Sequence, residues 1–390
     1  MLRYTKLLFN SSDPRVFSDA IVPTDEQRKL LVSAKNAIRD HLRVGIAQAT
    51  VSILGMPKQV VPRFRTQGSW SYNTCIQPYS MPPQEMDWDF GVYLPVVVWE
   101  ENGPPHAMAK AYFNLVEALL ASLCEERGWH LVDGKATCIR VQVASWAHID
   151  VPLYAAPEAE FSRIQERALA KSLMTGSVHD SASLEEREDL GEYAEQAWEE
   201  LDKIMMACRD GRWVASDPET VARWFNDSVL THTEQLRRVC RYVKAWRDKT
   251  WKSDGPTSIS LMIAIAQKFE HKRGRDDLAL ENAFRTLQIA LATEIREFAI
   301  DGGAEDFNRL DLDDRAPAAK LAGEAASALQ SARMRDETEK VLALTSIRLE
   351  LGNRIPFEPE MVERDTVEVE VRSTEASKVV APVILATSAG

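Results

Sequence analysis

Met86-Asp87-Trp88-Asp89-Phe90 alternates apolar and acidic side chains with a period of two. In a strand, residues two apart share a face. Asp87 and Asp89 therefore project together, and Met86, Trp88 and Phe90 enter a core. This stretch demands a sheet with one acidic face and one covered face. Two carboxylates at that spacing repel unless a cation lies between them or one holds a proton. Mg²⁺ takes oxygen ligands and is commonly held by one or two carboxylates together with substrate phosphates. A lone D-x-D is more often a strand edge carrying chance acids.

The flanking sequence adds context. Gly68-Ser69 precedes the aspartates within Arg65–Pro95. Glycine lets the backbone approach a ligand closely, and successive amides in such a turn can face phosphate oxygens. The pair carries weight only through the acids that follow it. Downstream, His148-Ile149-Asp150-Val151-Pro152 alternates again and places His148 and Asp150 on one face. An adjacent strand would bring Asp150 beside Asp87 and Asp89 as a third carboxylate. Arg140 and Gln142, on a strand expected over Thr137–Ala144, would face the same cleft.

The rest of the chain reads mainly as helix. Thr24-Asp25-Glu26-Gln27 is a capping box. It opens a helix with the stripe Leu30, Leu31, Ala34, Ile38 and Leu42. Its basic residues (Arg28, Lys29, Lys35, Arg39, Arg43) read as a solvated face. Met108–Cys124 is apolar and helical. Residues 157–215 read as helical but irregular, and the acid-rich segment Ser183–Leu201 is open to a mobile insertion or lid and to a plain solvated helix, the second favoured by its charge. Ser216-Asp217-Pro218-Glu219 is a second capping box. Ser228–Trp251 reads as one long helix with the stripe Leu236, Val239, Cys240, Val243 and Trp246. Lys244 adjoins that stripe, and both snorkelling and contact with a triphosphate are open to it. Ser253–Ser258 is a turn feeding the helix Ile259–Phe269, whose capped start can bind an anion or simply cap. Further helices are expected over Asp277–Ile300 and Pro317–Arg348, around the acidic loop Phe307–Asp314.

This pattern gives an α+β fold: a sheet with helices over residues 1–215, including an N-terminal helix, then an α-helical lobe over 216–355. A cleft lies between them, and 356–390 form a flexible tail. With 390 residues, 45% of them hydrophobic, the chain has room for two sub-domains. It has no run of eighteen apolar residues, so no membrane partner is expected. The N-terminal apolar run is too short for a secretory signal. Five scattered cysteines without a C-x-x-C pair suit a reducing cytoplasm. A net charge of −12 argues against gripping long nucleic acid and for small ligands.

Five blocks in order resemble the bacterial cGAS/DncV-like nucleotidyltransferases. They are Phe64–Ser69 (F-R-T-Q-G-S), Gln84–Leu94 (Q-E-M-D-W-D-F-G-V-Y-L), His148–Tyr154 (H-I-D-V-P-L-Y), Trp224–Ser228 (W-F-N-D-S), and Val239–Asp248 with Gly255–Met262. The resemblance implies a polymerase-β-like nucleotidyltransferase sheet. It also implies synthesis of a cyclic dinucleotide, 3′,3′-cyclic GMP-AMP from ATP and GTP, as a second messenger in anti-phage (CBASS) defence. A different nucleotide pair or a cyclic trinucleotide is the alternative product. Carried over residue by residue, Asp87, Asp89 and Asp150 would hold two Mg²⁺ ions, with Mn²⁺ as a substitute. Gln67, Gly68, Ser69 and Tyr72 would line the donor nucleotide, and Lys244 and Ser258 would meet its triphosphate. Ser216 falls at a nucleotide-contacting position, and Asp311 lies where a base-reading acid is expected. The partners implied are an E1/E2-like conjugating protein acting on Gly390 and an effector activated by the product.

Overall fold

The computed structural model describes residues 1–10, 12–96, 106–157, 204–216 and 218–366. The acid-rich Ser183–Leu201 segment, Asp217 and the tail from 367 to Gly390 lie outside the described residues.

Strand β1 (Leu2–Arg3) belongs to a small two-stranded ribbon. The first half of the chain forms one mixed sheet from β2 (Arg63–Gln67), β3 (Met86–Val96), β4 (His130–Val132), β5 (Ile139–Ala144), β6 (Ala147–Val151), β7 (Leu153–Pro157), β8 (Met205–Ala207) and β9 (Trp213–Ala215). The order is β4-β5-β6-β3-β7-β8-β9, with β2 also pairing β3. Strands β6 and β7 run parallel to β3 along one flank, and β2 lies antiparallel on the other. One strand was expected over Ala147–Tyr154. Pro152 splits it in two, since it has no amide to give a ladder.

Met86, Trp88 and Phe90 are buried, as their alternation requires. They face α1 (Asp25–Ala49) and α2 (His106–Arg127), whose Leu31, Ile38, Leu42, Tyr112, Phe113, Val116 and Leu120 complete that core. Helix α1 begins at the expected capping box, with Thr24 and Gln27 bonding reciprocally. Its basic face is not simply solvated. Arg28 lies over Trp70, Lys35 over Trp88 and Phe90, and Arg43 over Phe64, at ring distances of 5.2 to 5.9 Å. These cations sit two turns apart along α1, and each covers an aromatic ring of the sheet's covered side. Among the described residues, α2 is the one helix long and apolar enough to cross a membrane. Here it covers the sheet.

The second half is helical: α3 (Pro218–His232), α4 (Glu234–Thr250), α5 (Ser258–Gln267), α6 (Asp276–Ala290), α7 (Leu312–Met334) and α8 (Lys340–Leu351). The helix expected over Ser228–Trp251 is two. Thr233 takes φ +68°, and its side chain accepts from the Gln235 amide to restart the chain as α4. The expected Pro317–Arg348 helix likewise divides after Met334, where Asp336 caps a new start.

The chain's first residues join this second core. Leu2, Tyr4, Leu7, Leu8, Phe17 and Ile21 are fully buried in it. The buried Asp277 accepts from Thr5 Oγ1 at 2.7 Å and pairs with Arg275, which also holds Asp365. Strand β1 then pairs antiparallel with β10 (Glu363–Arg364). Met361 and Val362 join that core, so residues 356–366 are tied to the helical half, although the sequence reads as tail from Pro356.

Candidate active site

Strand β3 carries the acids, and its register assembles the rest. Asp87 lies opposite His148 of β6, and Asp89 opposite Asp150. On β5, Arg140 lies opposite Asp150 and Gln142 opposite His148. Directly paired residues share a face, so six polar side chains converge on one side of three strands. Arg140 grips Asp150 with two parallel bonds of 2.7 Å, Nε to Oδ1 and Nη2 to Oδ2. Gln142 Nε2 donates to Glu85 Oε1 at 2.7 Å, and Glu85 Oε2 lies 2.6 Å from His148 Nδ1.

His148 Nε2 then faces Asp87 Oδ1 at 3.1 Å, but neither atom has an aligned hydrogen bond. Burial works against an imidazolium there, yet the Asp87 and Glu85 carboxylates outweigh it and raise the His148 pKa. Burial, then the charges of Asp87 and Asp150, pushes Asp89 from 3.8 to about 7. The ligand atoms of Asp87, His148 and Asp150 all lie within 4.8 Å of one another. Two orphaned buried atoms and a carboxyl held off its ordinary pKa are what a divalent cation would relieve. The sequence names three aspartates, whereas the close set includes His148. The signal for it was present in the H-I-D alternation, which put His148 on the right face without a role.

The Gly68-Ser69 turn closes over this face. Gly68 takes φ +61°, and a Cβ there would collide with Asp89 Oδ2. Only glycine combines that backbone conformation with that approach. A single helical turn, Gly68–Ser71, follows. Ser71 Oγ donates to the Gly68 carbonyl at 2.9 Å, and the amides of Thr74 and Cys75 donate to the Ser69 carbonyl at 2.8 and 3.1 Å. Trp70 stacks on Trp88 at 4.1 Å and donates Nε1–H to the Asp87 carbonyl at 3.0 Å. Tyr72 is buried against Phe225, and burial, then the charges of Asp89 and Asp87, raises its pKa. Gln67, expected to line the donor nucleotide, is occupied within the sheet. Its Nε2 donates to the Tyr93 hydroxyl at 2.6 Å, and its Oε1 accepts from Tyr154 at 3.1 Å.

The helical lobe supplies the facing wall. Lys244 is buried, donates to the Thr74 carbonyl at 2.6 Å, and has its pKa lowered to about 8 by burial. Ser258 Oγ accepts from Arg247 Nη1 at 2.8 Å. Arg247, which the sequence did not single out, lines a cavity of about 290 Å³ with Gln84, Glu85, Trp251 and Thr257. Glu85 lines that cavity and also holds His148. Ser216 is half-buried and hydrogen-bonded to Tyr154. Asp311 is exposed at the N-cap of α7, and its carboxylate has no partner among the described residues. The structure thus gathers Asp87, Asp89, Asp150, Gly68, Ser69 and Tyr72 and leaves Asp311 without contact to them.

A mixed sheet bearing paired aspartates, a third on the neighbouring strand, a glycine turn over them and a helical wall opposite together describe the nucleotidyltransferase class. Residues 62–154 match the family model for the nucleotidyltransferase domain of DncV-like cyclic GMP-AMP synthases, and residues 233–364 match the model for the C-terminal domain of cyclic GMP-AMP synthase. The chain belongs to the DncV-like nucleotidyltransferase family. It is 40% identical over 210 residues to a cyclic GMP-AMP synthase of Vibrio cholerae, covering 53% of this chain and 47% of that protein. It is 42% identical over 209 residues to one of Escherichia coli, covering 52% and 46%. The chain thus spans about half the length of the curated relatives it matches. The crystal structure of Vibrio cholerae DncV cyclic AMP-GMP synthase superposes with a TM-score of 0.73 at 26% identity, covering 94% of this chain and 100% of that one. Another crystal structure of that protein holds the linear intermediate 5′ pppA(3′,5′)pG and superposes equally well.

Proposed function

We propose that this protein joins ATP and GTP into 3′,3′-cyclic GMP-AMP by two successive nucleotidyl transfers. The observation that carries this reading is the register of β3 and β6, which sets Asp150 directly beside Asp89 and two residues from Asp87 on one face. In each transfer a 3′-hydroxyl would attack an α-phosphorus, form one phosphodiester bond and release pyrophosphate; its proton leaves to solvent. Asp87, Asp89 and Asp150 would hold two Mg²⁺ ions, which when bound supply charge neutralisation and lower the pKa of the attacking hydroxyl. Ser69 and Lys244 would face the departing phosphates, where fixed donors and charge act most strongly. His148, held by Glu85, would stand with Asp87 and Asp150 at the cation site. The product would serve anti-phage signalling through an effector, with Gly390 the point of attachment for an E1/E2-like partner.

Incubation with all four ribonucleotides and Mg²⁺, followed by mass spectrometry, tests the reading. The expected product is cyclic GMP-AMP, and Asp87→Asn with Asp89→Asn should fold yet release no pyrophosphate. A cyclic product of other bases or three nucleotides would retain the chemistry and replace the substrate pair. Turnover by the double variant would overturn the site.

A further inference from the structure

The segment that leaves the Gly68 turn is held by one helix in a regular way. Tyr72, Asn73 and Thr74 present three consecutive carbonyls to α4. Arg237 Nε donates to the Tyr72 carbonyl at 3.1 Å. Arg241 gives the Asn73 carbonyl two N–H groups, Nε at 2.9 Å and Nη2. Lys244 takes the Thr74 carbonyl at 2.6 Å. The donors stand at i, i+4 and i+7 of α4 and so share a face. Asn73 itself is turned by a φ of +55°. Arg237 also pairs with Glu234, but neither Arg241 nor Lys244 has an acidic partner among the described residues. Arg241 and Lys244 are spent on carbonyls and not on carboxylates, with Glu234 and Asp248 acting on them only as nearby charges, so their charge stays available to an anion.

The held segment also joins the two cores. Trp70 packs with the sheet core, while Tyr72 and Ile76, a few residues on, belong to the helical one. At its other end Gly68 lies against Asp89 with no room for a methyl group. A shift of these carbonyls would therefore move the turn relative to the acids. We infer that Arg237, Arg241 and Lys244 form a carbonyl clamp that positions the Gly68-Ser69 turn for the triphosphate of an incoming nucleotide, with Arg241 and Lys244 supplying positive potential behind it. Arg237 and Arg241 are positioning residues that act through the turn. This inference rests on the nucleotidyltransferase reading.

Equilibrium binding of a non-hydrolysable ATP analogue and of adenosine, with melting temperatures in the absence of nucleotide, tests it on the full chain. Arg241→Gln should weaken the analogue about tenfold, as expected for the loss of a charge-assisted contact. Adenosine affinity and melting temperature should stay at parent values. Arg241→Lys, which keeps the charge and one donor, should recover most of the loss, and Arg237→Gln combined with Arg241→Gln should deepen it. Equal losses for adenosine and the analogue, or an Arg241→Gln that binds the analogue like the parent, would overturn the clamp alone. A parent protein that binds no triphosphate would sink the nucleotidyltransferase reading and the clamp with it.

Discussion

At the scale of single residues, chemistry and fold meet at Gly68 and Asp89. Gly68→Ala introduces a methyl group against Asp89 Oδ2 and places alanine at a positive φ. A cost of about 1–3 kcal/mol is expected, as for other strained backbone positions. Thermal unfolding should register it, and calorimetry should show weaker Mn²⁺ binding as Asp89 is displaced. Asp89 also makes the stability of the fold depend on pH. Its carboxyl is raised from 3.8 to about 7 by burial and by its acidic neighbours. Below the unfolded value both states hold the proton and nothing is lost. As pH rises through that window the unfolded chain gives up its proton first, so the folded state is progressively disfavoured until pH about 7. Without divalent cations the melting temperature should therefore fall between about pH 4 and about pH 7. Asp89→Asn should remove most of that slope, and a slope equal to the parent's would refute the assignment.

At the scale of elements, the alternating strands were legible and the helix breaks were not. Met86–Phe90 and His148–Val151 announce their buried and wet faces because a strand's period is two and every side chain answers to it. Parallel pairing of β3 with β6 decides which acids meet, and only tertiary packing fixes that register. The break at Thr233 was hidden because α3 and α4 continue one apolar rhythm on either side. Asp311 could not be singled out from sequence, because several acids crowd Phe307–Asp314, and the structure leaves Asp311, Asp313 and Asp314 all exposed. His148 was legible in position but not in role, since its braced pairing needs Glu85 and Gln142 from two other segments. Lys244 was left between packing and phosphate contact, and the structure gives packing a firm share. Lys244→Met would leave the buried Thr74 carbonyl without its donor. A loss of about 1–3 kcal/mol follows for an unsatisfied buried acceptor. Denaturant titration should show it; an unchanged midpoint would leave Lys244 free to serve the ligand alone.

For the whole molecule, the helical core depends on the start of the chain. Leu2, Tyr4, Leu7, Leu8, Phe17 and Ile21 are fully buried among α4, α6 and their neighbours. Each such side chain contributes about 1.5–3 kcal/mol when fully buried. Deleting residues 1–22 should unfold or loosen the helical half, with α6 amides losing hydrogen-exchange protection first. Retained protection there would show that the helices close without that segment. The stacked indoles of Trp70 and Trp88 have a consequence of another kind. Two parallel chromophores 4.1 Å apart couple their electronic transitions, and one of them is tethered to the Asp87 carbonyl. The protein thus carries an optical reporter beside its acids, so near-ultraviolet circular dichroism should follow the arrival of a colourless ion without any attached dye.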